Sequence, residues 1–217
     1  SQAIVNEETT VEDVTARLVK KAEDVHTIHA RVEIPVLIDP EARMVQELKV
    51  DALVDAILAK RNLGTKITDA LIVIGVGPGF TAGEDCHAVV ETMRGHTLGR
   101  VLYEGSPLPN TNVPGLIGGY AGERVLRAPD DGIFHLLQDI GSVVREGDTV
   151  GEVNGKPMQC TISGVLRGIL ADETPVHKGM KAGDVDPRCK AEYCYTSSDK
   201  ALAVGGGVLE AILNLWG

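Results

Sequence analysis

Ala70-Leu71-Ile72-Val73-Ile74-Gly75-Val76-Gly77-Pro78-Gly79-Phe80-Thr81-Ala82-Gly83 is the stretch on which the reading of this chain turns. Its five leading apolar residues fit a strand covered on both faces, the habit of parallel sheets. Four glycines, a proline and a threonine follow. Glycines let a backbone approach a ligand closely, and the free N–H groups that open a helix attract anions. Glu84 to Met93 predicts such a helix, with acidic residues at its start to suit the macrodipole. Strand, loop and helix in this order make half of a nucleotide-binding α/β unit. The spacing is neither Gly-x-Gly-x-x-Gly nor a Walker loop with its lysine. A tight strand-to-helix turn without a ligand accounts for the same glycines. Gly75, Gly77, Gly79, Phe80, Thr81 and Gly83 are thus candidate contacts for a small anionic ligand, Thr81 through its hydroxyl.

Upstream, Val50, Leu53, Val54, Ile57 and Leu58 share one face of a predicted helix over 49–61, which Asn62-Leu63-Gly64 ends in the manner of a glycine cap. Thr10 to Val19 reads as a helix start. Ile28 to Ile34 has the period of a strand, and Pro35 to Ile38 is a short apolar strand ending at Asp39. Asp39 either holds a ribose hydroxyl, as in dinucleotide folds, or opens a turn with Pro40.

Downstream of Gly99 the segments shorten and Pro and Gly punctuate them. Short strands are predicted around 100–103, 123–127, 142–144, 149–153 and 164–170. Val144-Arg145-Glu146-Gly147-Asp148-Thr149-Val150 is echoed by Val176-His177-Lys178-Gly179-Met180-Lys181-Ala182-Gly183-Asp184-Val185, a pair of hammerhead-like halves of the kind found in biotinyl and lipoyl carrier domains. Gly207 to Leu215 reads as an apolar helix. The expected fold is α/β: a Rossmann-like parallel layer over 1–99, a small β barrel or sandwich over 100–195, and a C-terminal helix over 196–217 packing back on the first domain.

Composition narrows the function. The chain has 217 residues and a net charge of −10, which makes it a poor general binder of nucleic acid or anionic membrane, so an anionic ligand must be met by local cations. Aromatics supply 3% of residues, so the core rests on Val, Ile, Leu and Ala. No apolar run reaches the roughly 20 residues of a membrane span. The polar, acidic start is unlike a signal peptide, and a cytoplasmic location is expected. Ser1 in place of Met reads as a trimmed chain. Cys86, Cys160, Cys189 and Cys194 form no Cys-x-x-Cys pair, so no zinc ribbon or thioredoxin motif is expected; Cys189 and Cys194, separated by four residues, suit either a loose metal or redox pair or ordinary thiols, and no metal site is assigned.

Local cations are present. Arg94, His96 and Arg100 fall within seven positions. They suit a phosphate clamp, or equally a helix C-terminus offset by positive charge. Asp186-Pro187-Arg188 places a carboxylate and a guanidinium in one turn, as a ligand contact or as an internal ion pair. Ser198 and Lys200, ahead of Gly205-Gly206-Gly207, form a second polar loop opening a helix. No catalytic triad, His-Glu-x-x-His or acid–base carboxylate pair is legible, so whether the chain is an enzyme stays open.

Several of these segments form one pattern. The Gly75–Gly83 loop, Val90-Glu91-Thr92-Met93-Arg94-Gly95-His96-Thr97-Leu98-Gly99-Arg100-Val101, Gly183-Asp184-Val185-Asp186-Pro187-Arg188, Ser198-Asp199-Lys200-Ala201 and Gly205-Gly206-Gly207-Val208-Leu209-Glu210-Ala211 are spread over nearly the whole chain. With them the chain resembles the accessory proteins of the selenium-dependent molybdenum hydroxylase system. The resemblance implies a part in maturing molybdenum hydroxylases such as xanthine or purine hydroxylases. It implies a client hydroxylase as partner and a molybdopterin-type cofactor as ligand, its phosphate on the glycine loop beside Arg94 and Arg100. Cys194 is the candidate carrier of sulfur or selenium. Members of that family usually begin with a strand and a Gly-Gly-Asp type loop that this sequence lacks, from which an exposed sheet edge or a homo-oligomer is expected. The alternatives are a nicotinamide-dependent (NAD) oxidoreductase, or a non-enzymatic carrier or docking module with Lys156 as its nearest candidate for a carrier lysine.

Overall fold

The computed structural model describes residues 2–111 and 113–217. The chain divides into two compact units, Ser1–Thr111 with Ser197–Gly217, and Asn112–Thr196. In chain order the first unit carries α1 (Gln2–Asn6), β1 (Glu8–Val11), β2 (Val14–Leu18), α2 (Asp24–His29), β3 (Ile34–Val36), α3 (Met44–Glu47), β4 (Ala52–Asp55), β5 (Ile72–Val76), β6 (Ala88–Val90) and β7 (Val101–Leu102). The second carries β8 (Val125–Arg127), β9 (Gly132–Leu136), β10 (Val143–Val144), β11 (Thr149–Val153), β12 (Lys156–Gln159), β13 (Gly164–Ile169), β14 (Thr174–Val176) and β15 (Lys181–Asp186). The chain then returns to the first unit as α4 (Asp199–Trp216).

Of the apolar run at 70–74, Ile72–Ile74 enter β5, which is buried along its whole length in a sheet ordered β4-β5-β6-β7, while Leu71 just before it is exposed. β4, β5 and β6 are parallel, and β7 closes the sheet antiparallel to β6. On one face Ile72, Ile74, Ala88 and Val90 pack against Ala211, Val204, Val208 and Ile212 of α4. On the other face Val73 and Val89 are covered by Phe80, Ala82 and Cys86, which belong to the connection between β5 and β6.

The segment 84–93 is not a helix: Ala88, Val89 and Val90 pair with Ile74, Gly75 and Val76, and ladder formation by these buried residues overrides the acidic start. The segment 49–61 is not a helix either. Ala52–Asp55 pairs with Ile72–Gly75, while Ile57 and Leu58 of the supposed apolar face are exposed. Asn62 Oδ1 accepts the N–H groups of Gly64 and Thr65, a side-chain turn in place of a glycine cap. No helix connects β4 to β5 or β5 to β6, so the layer is mixed α/β without the crossover helices of a doubly wound sheet. β7 also belongs to this sheet, which moves the boundary from 99 to the Thr111–Asn112 junction.

The expected helix start at 10–19 is a hairpin, β1 with β2, and Asp24–His29, partly expected as strand, is helical. Opposite charges fix the hairpin: Glu8 stands across from Arg17, whose guanidinium lies 2.6 Å from Glu8 and 2.7 Å from Glu33.

The second unit is an open sandwich, not a closed barrel. Its sheets run β10-β13-β15-β8 and β12-β11-β9-β14, and both contribute to one core around Phe134, Leu126, Val150, Val153, Leu166 and Val185. Advancing each strand of one sheet by four places in the chain, or setting it back by four, reproduces the order of the other. The sequence echo lies on this internal two-fold. Val144 and Val176 are buried, and Gly147 (φ 88°) and Gly179 (φ 82°) make matching turns. Gly147 N–H donates to the carbonyl of Cys160, just past β12; Gly179 N–H donates to that of Ala128, just past β8.

α4 is seated by a glycine. A Cβ on Gly207 would strike the carbonyl oxygen of Gly99 and lie 2.9 Å from Val90 Cγ1. Gly207→Ala is therefore expected to lower the melting temperature by several degrees, although Ala is the better helix former. Thermal unfolding followed by circular dichroism checks this. Among the described residues, no helix is long and apolar enough to cross a membrane.

Candidate functional site

The glycine loop is built by packing. A Cβ on Gly75 would lie 2.5 Å from the Phe80 ring, one on Gly77 (φ 82°) 2.8 Å from Thr92 Oγ1, and one on Gly79 (φ 112°) 2.5 Å from Arg61 Cα. Phe80 is core. Several loop amides are already committed: Gly77 N–H to Val90 O, Ala82 N–H to Gly105 O, Gly83 N–H to Cys86 O, and Thr81 N–H to the Asp85 carboxylate at 2.8 Å. Thr81 Oγ1 bonds Ser106 Oγ at 2.9 Å. The loop does not open a helix, so the expected helix-start anion cradle is absent from it. What the loop does is bring the chain from the end of β5 across the sheet.

The cations gather a short distance away, beyond the C-terminal ends of the parallel strands. β6 ends at Val90, and the next residue, Glu91, is buried. Its carboxylate accepts the N–H of Met93 at 2.6 Å and of Leu108 at 2.8 Å, while its backbone pairs with Gly99 and Arg100. Glu91 thus ties the loop of residues 91–100 into shape, and that loop exposes Arg94, His96 and Arg100. Arg94 reaches α4 and grips Asp199 through two hydrogen bonds of 2.6 and 2.9 Å. Ser198 caps the helix, its Oγ accepting the Ala201 N–H at 3.1 Å. Lys200 follows in the same turn. Burial pushes its ammonium below the ordinary lysine range, the Arg94 charge pushes it further, and Glu91 partly offsets both.

The fold thus joins Arg94, Ser198 and Lys200, three residues the sequence placed in separate motifs. Sequence reasoning missed Glu91 as their organiser. The one signal was an acid directly after an apolar strand. Asp39 is occupied elsewhere: its carboxylate accepts the Met44 N–H at 2.8 Å and starts the turn into α3.

Asp186 and Arg188 belong to the second unit. Asp186 is 1% exposed and holds Arg188 through Nε and Nη2 at 2.9 and 2.6 Å, and Arg167 at 3.2 Å. The Arg188 hydrogen bond keeps this carboxyl below its usual range against the opposing effect of burial. Both residues make an internal ion-pair network. Cys194 donates to Leu166 O, and burial raises its thiol above the ordinary range, the opposite of an activated carrier. Among the described residues, His135, Asp172 and Glu173 are the group with metal-ligand character; all three are exposed, and Asp172 already accepts the Leu136 N–H.

No model of a known protein family matches the chain. Over 215 residues, 99% of its length, it is 46% identical to the uncharacterized protein YqeB of Escherichia coli (strain K12), and it spans 40% of that protein. Among solved structures it is similar to an aspartoacylase family protein from Mesorhizobium loti, at 18% identity and a TM-score of 0.27, over 29% of this chain and 22% of that one. It is also similar to the ectoine utilization protein EutE (DoeB) from Ruegeria pomeroyi, at 18% identity and a TM-score of 0.25, over 38% and 27%.

Proposed function

We propose that this chain is a maturation factor of the selenium-dependent molybdenum hydroxylase system that holds the phosphate of a molybdopterin-type cofactor between Arg94 and Lys200. The supporting observation is the meeting of these two cations at the first turn of an 18-residue helix in a chain of net charge −10. Asp199 already answers the Arg94 charge, and a phosphate displacing that carboxylate would meet Lys200 as well. The helix N-terminus adds its own positive end, and the C-terminal edge of parallel strands is where open α/β sheets hold ligands. In this reading Arg94 gives bidentate contacts, Lys200 a compact charge, and Ser198 keeps the helix start in place. His96 and Arg100 extend the rim. The glycine loop sets the floor, with Gly77 packed against Thr92.

The first unit is then a pared-down Rossmann-like layer. The duplicated, hammerhead-like second unit docks the client hydroxylase without carrying a group. Lys156, just past the Asn154-Gly155 turn, is held by Asp130 at 2.7 Å, which suits a structural lysine better than a carrier. Nicotinamide binding has less support, since Asp39 is committed to α3 and the dinucleotide glycine spacing is missing.

The reading is tested in cells lacking the protein but producing a selenium-dependent molybdenum hydroxylase. The wild-type chain is expected to restore hydroxylase activity and selenium content, and Arg94→Ala/Lys200→Ala is not. A fully active, selenated hydroxylase in cells with no maturation protein would contradict it.

A further inference from the structure

Helices on the surface of a globular protein carry apolar residues on one side and polar residues on the other; one that is apolar all round is buried. α4 is apolar on two opposite faces. Its charges are Asp199 and Lys200 in the first turn and Glu210. One face packs on the sheet through Val204, Val208, Ala211 and Ile212. The opposite face bears Leu202, Leu209, Leu213 and Trp216, which are 65%, 58%, 66% and 58% exposed. With Gly206 these residues follow one another at intervals of four, three, four and three, the repeat of a helix–helix seam.

A second observation lies in the glycines. Glycine inside a helix is unfavourable compared with alanine. Gly207 has a reason within the chain, its close approach to Gly99, but a Cβ added to Gly205 or Gly206 meets nothing within 4 Å. Both are exposed. The chain's own packing does not call for their smallness.

We infer that α4 pairs antiparallel with the α4 of a second copy of this chain. In that register Leu209 of each copy meets Leu213 of the other, and each Trp216 lies over the other copy's Gly205-Gly206. The large end of the stripe fits the small end, as an isologous two-fold contact requires. Tyr103, just past β7 and exposed, adds to the rim. In this register Leu202 lies outside the overlap, and Leu209, Leu213 and Trp216 offer about 370 Å² of apolar surface per copy, so pairing, with Tyr103 and the helix flanks, buries on the order of 1,000 Å², the size of a weak, concentration-dependent contact.

Sedimentation of the whole chain over about a hundredfold concentration range tests this. A dimer is expected, together with a blue shift in emission of Trp216, the single tryptophan, as concentration rises. Leu209→Glu and Gly206→Gln alter positions that are exposed in one copy, so each is expected to keep its circular dichroism spectrum while weakening dimerisation at least tenfold. A chain that stays monomeric with unchanged emission overturns the inference, as does a dimer indifferent to both substitutions.

Discussion

Asp186→Ala is expected to destabilise the second unit by about 3 kcal/mol, the largest loss of stability foreseen for a single substitution in this chain. Asp186 sits on β15, 1% exposed, and receives both Arg167 and Arg188. Removing it leaves two guanidinium groups facing each other across a site they no longer share with an anion. Arg188 is well exposed and turns partly to water, which places the cost at the low end for a broken buried pair. The pH dependence has a defined sign. Since the folded-state pKa of Asp186 is lowered, its stabilisation is fully present above the unfolded aspartate value of about 4 and fades as pH falls through the folded value. The gap between wild type and variant in urea unfolding is thus expected to be constant near neutrality and to close in acid. A gap that widened on acidification would contradict the ion-pair account.

Arg94→Ala is expected to weaken binding of a phosphate-bearing ligand by about a hundredfold, the loss of two charge-assisted hydrogen bonds. The partner of Arg94 makes a sharper prediction. Asp199 holds the guanidinium by two hydrogen bonds, so a phosphate must compete with a carboxylate for the same donors. Asp199→Asn keeps the shape and removes the negative charge. It is expected to tighten binding by about three- to tenfold, the scale of one exposed charge interaction. A purely structural Arg94–Asp199 bridge predicts no tightening. Isothermal titration with inorganic pyrophosphate reads both variants on one scale.

How far the sequence disclosed this arrangement depends on what each signal measures. The run Ala70–Ile74 announced a strand buried on both faces because side-chain burial leaves its mark directly in composition, although the strand takes up only its last three residues and leaves Leu71 exposed, and the short strands after Gly99 were marked by their turn residues. The sequence echo at 144–150 and 176–185 disclosed the duplication of the second unit. Periodicity failed where a few apolar residues served either structure. Leu53, Val54, Ile57 and Leu58 fit a helical face on paper, but pairing with β5 took the first two into a strand and left the others in solvent. The segment 84–93 failed for the same reason, since parallel pairing of Ala88–Val90 is a tertiary contact with no local signature. Arg94, Ser198 and Lys200 were each legible as candidates. Their meeting was not, because it depends on a contact between residues 105 positions apart. The glycine loop was legible as a special backbone, but its glycines answer to Phe80, Thr92 and Arg61.

The most direct test is native mass spectrometry of the anaerobically purified protein titrated with molybdenum cofactor. The account predicts a saturable cofactor-bound species that is lost in Arg94→Ala/Lys200→Ala while circular dichroism shows the fold intact. Binding that survives the double substitution, or no binding by the folded wild-type chain, would contradict it.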